Sequence, residues 1–235
     1  MQKYRILGLT LARGGSKGVK DKNIKLLKGK PLIYYTIKEA LKSKYLSRYV
    51  VSTDSKKIQL IAKKYGAETP FLRPKSISNS KSTSASAILH AVKWLEKQEG
   101  KKYDFIIELM CTNPLKNSKD IDNCIEKLIK TKAHSVIAMH RLEDHHPARI
   151  KKIVNDKIRD FCIKETLEMR RQDLKPHAYI RSGSIYALNR DYFMKNIARY
   201  GSSNSRPYIL PNTRVINIDH INDFYLAEKL FDNLK

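Results

Sequence analysis

The chain has 235 residues, 41% of them hydrophobic, and a formal net charge of +24. That length and apolar content suit one large domain, or one domain with a small appendage, and exclude a disordered chain. The charge fits a nucleic-acid binder, an enzyme for anionic small molecules or a lysine-rich background; the lysines are spread along the whole chain, as in "KKIQLIAKKYG" and "EKQEGKKYDF", rather than gathered into a basic tail.

In chain order, "YRILGLTLA" reads as a buried first strand. Lys3 and Arg5 ahead of "ILGLTLA" mimic a secretion signal, but the run is short and leads into Arg-Gly-Gly-Ser-Lys instead of a cleavage site. "PLIYYTIKEALKS" reads as a helix with Pro31 in its first turn and Ile33, Ile37, Ala40 and Leu41 on one face. "RYVVSTD" is a strand, and "SKKIQLIAKKYG" a helix capped by Ser55 and ended by Gly66. After a Ser-rich loop, "SASAILHAVKWLEKQ" aligns Ala85, Ile88, Val92 and Leu95. "YDFIIELM" is a strand, "SKDIDNCIEKLIKT" a helix and "HSVIAMH" a strand. The alternation predicts an α/β fold with a doubly wound, mostly parallel sheet.

Residues 141–180 break this pattern, being polar and rich in His, Arg and Lys; they read as an arm, a lid or a dimer contact. The alternation resumes with the strand "SIYALN", the helix "RDYFMKNIA", the strand "TRVINID" and the helix "DFYLAEKLFDNL". The expected division is therefore 1–140 with 181–235 as the α/β domain, and 141–180 as a separate segment. No run of about 18 apolar residues predicts a membrane span. Cys111, Cys124 and Cys162 form no C-x-x-C pair, which predicts buried free thiols and a cytoplasmic setting.

Ligands of open α/β sheets bind outside the carboxyl ends of the strands, where "ARGGSKGVKDKN", "STD", "MCTNP" and "NID" fall. The first of these lacks both the Walker and the G-x-G-x-x-G patterns. Its three glycines with Arg13, Lys17, Lys20 and Lys22 still suit a polyanion such as a triphosphate, against the alternative of a solvated basic loop. Asp219 reads either as a helix cap or as a Mg²⁺ ligand. Asp54 reads equally as a cap. His140, His145 and His146 beside Asp144 lack a third well-spaced ligand, so a zinc site is not expected. Serine hydrolase chemistry is unsupported around Ser82.

An ordered series running through nearly the whole chain resembles the CMP-sialic acid synthetases, cytidylyltransferases of acidic nonulosonate sugars. It comprises "ARGGSKGVKDKNIKLLKGKPLIYYTI", "VVSTD", "LRP", "TNPLK", "DHHPARI", "RRQDL", "GSIY" and "IDHINDFYLAE". The resemblance implies attack by the sugar's anomeric hydroxyl on the α-phosphate of CTP, with release of pyrophosphate. It implies a homodimer in which the 141–180 segment helps complete the neighbour's sugar site, and no nucleic-acid or membrane partner. By position it assigns Arg13, Lys17, Lys22 and Asp219 to the chemistry, and Ala12, Gly14, Ser16, Asn23, Ser52, Arg73 and Ser82 to the nucleotide. Arg149, Arg171, Gln172, Tyr179 and Gly183 fall to an acidic nine-carbon keto-sugar, and Asp219 with Asn217 to Mg²⁺.

Departures from the family pattern are Asn217 in place of a metal-strand Asp, Met110 for a glutamine, Arg149 for a lysine, and Ile180-Arg181-Ser182-Gly183 for Arg-Pro-Asn-Gly. The sugar-side changes point to a substrate other than N-acetylneuraminate, such as legionaminic or pseudaminic acid. The alternatives are a 3-deoxy-manno-octulosonate cytidylyltransferase and a catalytically weakened nucleotide-binding homologue.

Overall fold

The computed structural model describes residues 3–16, 18–165 and 169–233. Strand β1 (Ile6–Leu11) is buried over its first five residues, as its unbroken apolar run requires of a strand covered on both faces. Next come the two-residue strands β2 (Leu26–Leu27) and β3 (Lys30–Pro31), helix α1 (Leu32–Ala40), β4 (Arg48–Ser52) and α2 (Lys56–Lys64). They are followed by α3 (Ser84–Glu99), β5 (Phe105–Leu109), α4 (Ser118–Thr131) and β6 (Ser135–Arg141). A hairpin, β7 (Lys151–Val154) with β8 (Lys157–Asp160), precedes β9 (Tyr179–Asn189), α5 (Arg190–Asn196), β10 (Ser205–Ile209) and α6 (Ile221–Asp232).

The main sheet has the order β10-β6-β9-β5-β1-β4. β1 pairs in parallel with β4 on one side and β5 on the other, so the chain reverses its direction of growth across β1. That switch opens a crevice beyond the carboxyl end of β1. β9 is antiparallel to both β5 and β6. Helices cover both faces: Ile37, Ile58 and Ile125 pack on one, Ile88, Leu95 and Phe193 on the other. Each such fully buried aliphatic side chain contributes roughly 1.5–3 kcal/mol.

Local signals act largely as expected. Ser55 caps α2, accepting from Ile58 N, and Gly66 ends it at φ +92°. Of the α1 stripe, Ile33, Ile37 and Ala40 are buried, but Leu41 is 51% exposed because it lies past the last full turn. Cys111 and Cys124 are buried, whereas Cys162 is exposed, so the expectation of buried thiols fails for that one.

The expected strand "TRVINID" is not part of the sheet. Asn212–Arg214 form a 3-10 turn, and the extended segment after it is tied to the turn that follows β5 by Ile218 N, which donates to Thr112 O at 2.8 Å. Its alternation is nonetheless real, because Ile216 and Ile218 are buried under α6 with Phe224 and Ala227. The edge position falls instead to β10, which contains Pro207 and was not expected as a strand. An edge strand has one unpaired side, where a residue without an N–H costs nothing.

The polar excursion leaves and re-enters the sheet through paired strands: His140 faces Ile180 and Arg141 faces Tyr179 in the β6–β9 ladder. Its hairpin presents Ile153 and Ile158 as a cross-strand pair, 77% and 73% exposed.

Candidate active site

The loop after β1 is tied down from three sides. Ala12 N donates to Ser52 O at 3.0 Å, which fixes the loop to the end of β4. Gly14 N donates to Asp54 Oδ1 at 2.9 Å, so Asp54 holds the loop while Ser55 does the capping. Asn23 is 7% exposed; its Nδ2 donates to Arg13 O at 3.0 Å and its Oδ1 accepts from Cys111 Sγ at 3.3 Å. Asn23 thereby shapes the backbone that carries Arg13. Lys17 lies outside the described residues.

Two adjoining clefts share Leu11 and Arg13. The larger, about 540 Å³, is lined by Ser16, Gly18, Lys22, Met110, Asn217 and Asp219 among others. The smaller, about 290 Å³, is lined by Arg73, Ser78, Asn79, Ser82 and Ser84. Arg13 spans the boundary, donating to Asn79 O at 3.1 Å. Arg73 is buried, its Nε donating to Ser78 Oγ at 2.9 Å and its guanidinium lying 3.9 Å from Asp54. Burial lowers the pKa of Arg73; Asp54 opposes that shift and Arg13 adds to it. A cation held this way, with little water to screen it, acts strongly on a nearby anion. Ser82 Oγ accepts from Asn79 N and braces the Ser-rich loop, and Thr83 caps α3, accepting from Ser86 N. The amino end of that 16-residue helix faces the smaller cleft. Ser52 is fully buried beneath the loop, and its Oγ makes no hydrogen bond among the described residues.

On the opposite wall, Lys22 Nζ donates to Asp219 Oδ1 at 2.8 Å and to Ile218 O at 2.7 Å. Asn217 Nδ2 donates to Asp219 Oδ2 at 2.5 Å. Asp223, not Asp219, caps α6: its Oδ2 accepts from Asp219 N and His220 N, both at 2.7 Å. Gly18 lies so close that a Cβ there would come within 2.3 Å of Asp219 O, and Gly183, at φ +62°, lies beside Asn217. Among the described residues no cluster of three or more His, Cys, Asp or Glu could hold a metal. A Mg²⁺ held by Asp219 would take its remaining ligands from substrate phosphates and water, and oxygen donors of that kind suit it.

Two buried charges near the site went unrecognised in the sequence. Lys116, 2% exposed, donates to Thr36 Oγ1 at 2.9 Å, Met110 O at 2.7 Å and Asn113 O at 2.5 Å. It thus clamps the turn that receives Ile218 N, and burial pushes its pKa down to about 7. Glu108, 1% exposed in β5, accepts from Arg199 at 2.6 Å; burial raises its pKa and Arg199 opposes the shift. Arg199 lies over the ring of Tyr186, and Arg181 over that of Tyr200 at 3.9 Å. Only "TNPLK" hinted at Lys116; nothing in the sequence marked the Glu108–Arg199 pair.

The structure does not bring the other sugar-side candidates to this crevice. Arg171 is ion-paired with Asp144, and with Gln172, Arg141, His146 and His177 it lines a separate cavity of about 190 Å³ inside the excursion. Arg149 donates to Met169 O and lies 3.8 Å from Glu165, and Tyr179 is exposed at the start of β9. Of the five, Gly183 adjoins the wall formed by Asn217 and Asp219.

A cytidylyltransferase family model matches residues 7–229. Pseudaminic acid cytidylyltransferase of Campylobacter jejuni is 32% identical, over 94% of this chain and 93% of its own. CMP-N,N'-diacetyllegionaminic acid synthase of Legionella pneumophila is 30% identical, over 97% of each chain. A solved structure of CMP:2-keto-3-deoxy-manno-octonic acid synthetase complexed with CTP aligns at a TM-score of 0.70, with 16% identity, over 98% of this chain and 100% of its own. At that identity it bears on the fold alone.

Proposed function

From the premise that this chain belongs to the cytidylyltransferase family, we propose that it joins CMP from CTP to an acidic nonulosonate sugar of the pseudaminic or legionaminic type. The anomeric hydroxyl oxygen attacks the α-phosphorus and loses its proton. The bond to the bridging oxygen breaks, and pyrophosphate leaves with the electron pair. Such a transfer needs position and charge neutralisation more than a covalent protein intermediate. The observation that carries this reading is the convergence of Arg13, Lys22 and Asp219 on one cleft at the carboxyl end of β1.

Arg13 and Lys22 neutralise the triphosphate, and the Lys17 position belongs to the same loop. Arg73, Ser82 and the amino end of α3 form the neighbouring nucleotide cleft. Asp219 would hold a Mg²⁺, whose chemistry when bound would be to neutralise the charge that gathers on the departing phosphates. Pyrophosphate release with CTP, Mg²⁺ and a panel of N-acetylneuraminate, legionaminate, pseudaminate and 3-deoxy-manno-octulosonate tests the reading. Turnover with a nonulosonate supports it; CTP binding with no turnover across the panel favours a weakened homologue.

The exposed Ile153–Ile158 pair and the distance of Arg171 and Gln172 from their own crevice support a homodimer. In it the excursion of one protomer faces its partner's sugar. Co-expressing an Asp219→Ala chain with an Arg171→Ala chain tests this, since mixed dimers regain one intact site only if sites are shared. The reaction belongs where CTP is made, in the cytoplasm, and no helix among the described residues is long and apolar enough to cross a membrane.

A further inference from the structure

Both carboxylate oxygens of Asp219 are engaged by neighbouring side chains. Oδ1 carries the ammonium of Lys22, whose side chain is only 14% exposed and which is held a second time by Ile218 O. Oδ2 carries the amide N–H of Asn217. The Asn217 oxygen is turned toward Gly183, where a Cβ would come within 3.2 Å of it. The reverse amide orientation would set two acceptors against each other. Asp223 fixes the Asp219 backbone, and the close approach of Gly18 keeps the loop that carries Lys22 against this segment.

We propose that Lys22 is the counter-ion of Asp219 until nucleotide arrives, so that the divalent cation enters with the triphosphate and not before it. Asn217 is on this account a positioning residue that orients Asp219, not a metal ligand. The inference rests on the cytidylyltransferase reading of the cleft.

The argument is one of charge exchange. A divalent cation alone, reaching for Asp219 Oδ1, meets an ammonium already bound there in a partly shielded site, and the like charges repel. A triphosphate brings several negative charges into the same cleft. Lys22 can then move its charge from the carboxylate to a phosphate oxygen, and the carboxylate oxygen it leaves becomes a ligand for the incoming cation. Lys22 therefore has two acceptors in turn, and the metal's affinity depends on which one holds it. Asn217 makes no such exchange, because its N–H serves Oδ2 whichever cation sits on Oδ1. An Asp at position 217 would set a second carboxylate beside Asp219, and the pair would demand a cation without waiting for nucleotide.

The test uses Mn²⁺ as the probe, with the signal of the free ion followed by electron paramagnetic resonance. The wild type without nucleotide should take up no Mn²⁺ below about a millimolar, and with CTP should take up clearly more than the same CTP binds in a protein-free control, which is subtracted throughout. Lys22→Met and, separately, Asn217→Asp should bind Mn²⁺ alone about tenfold tighter or more than the wild type. The Asn217→Asp chain keeps the test decisive if Lys22→Met does not fold, which circular dichroism reports. Wild-type uptake of Mn²⁺ alone as tight as with CTP overturns the proposal, as does wild-type behaviour in the folded variants. Asp219→Ala separates the two levels: if it leaves CTP-dependent Mn²⁺ uptake intact, the metal reading of the cleft falls. If it abolishes that uptake while the wild type still binds Mn²⁺ alone, only the counter-ion inference falls.

Discussion

Lys116→Met tests whether the buried clamp behind the cleft behaves as an ammonium in an apolar site. In the native chain the ammonium meets three oxygens directly. Burial nonetheless lowers the pKa from 10.5 to about 7, with Cys111, Asp120 and Glu39 pulling the other way. The unfolded lysine keeps its ordinary value. Between the two values the unfolded chain holds a proton that the native chain has released, so stability rises with pH. Integrated from about pH 7 to about pH 8.5, the gain is on the order of 1–2 kcal/mol. Methionine removes the titrating group and leaves two carbonyls without a donor, at about 1–3 kcal/mol each, while it relieves the cost of burying a charge. The offset between the two proteins is thus the sum of opposing effects, and the slope is the decisive quantity. Buried Cys111 and Cys124, pushed up, and His90 and His140, pushed down, also titrate differently on folding. Cys124, His90 and His140 are common to both proteins and drop out of the difference, whereas Cys111 feels Lys116, and losing that cation pushes its thiol further up. Urea unfolding across that range should show the wild type gaining on the variant by the stated amount. Parallel stability curves would refute the reasoning and mean that the three oxygens hold the proton against burial.

Other changes bear on the site and its frame. Asp219→Ala should lower metal-dependent pyrophosphate release about a hundredfold or more with an unchanged melting temperature, and near-normal rates would remove Asp219 from the chemistry. Gly18→Ala forces the loop off Asp219 O, because the added carbon meets backbone at 2.3 Å. The misplacement should cost turnover up to about a hundredfold with little thermal effect, read by paired kinetic and melting measurements. Arg199→Ala leaves Glu108 buried without its cation and should destabilise the fold by about 3–5 kcal/mol, measured by urea unfolding; a loss below 1 kcal/mol would show the pair to be dispensable. On the proposed homodimer, Ile158→Asp on the exposed hairpin face should leave monomer in light scattering with an unchanged circular dichroism spectrum, and an unchanged oligomeric state would remove the hairpin from the interface.

The fold was legible wherever apolar period and punctuation agreed. The run in β1, the Ser55 cap and Gly66 stop of α2, and the buried stripe of α3 all follow from local sequence. β10 was hidden because Pro207 argues against a strand until its edge position is known. The Asn217 segment misled in the opposite way. Burial of Ile216 and Ile218 produces strand-like alternation without a partner strand. Arg13, Lys22 and Asp219 were put together by the family resemblance, which the glycine-rich basic loop supported while Asp219 alone read equally as a cap, and they line one cleft. Lys116 and Glu108 were not, because their meaning lies in partners far away in sequence: Thr36 for one, Arg199 for the other. The antiparallel course of β9 was equally hidden, since no local pattern tells a strand which way its neighbours run.

That course has a consequence for how such proteins diversify. The polar excursion starts and ends on residues that already face each other, Arg141 across from Tyr179. Its two ends are held at a fixed spacing by a ladder that belongs to the central sheet, so the loop between them can lengthen, shorten or be exchanged without re-threading the core. On the proposed reading, in which the excursion meets the sugar, variation in that segment leaves the loop of Arg13 and Lys22 and the segment of Asn217 and Asp219 untouched. A graft of this segment between relatives, joined at those two facing positions, is the unit in which sugar preference would be inherited.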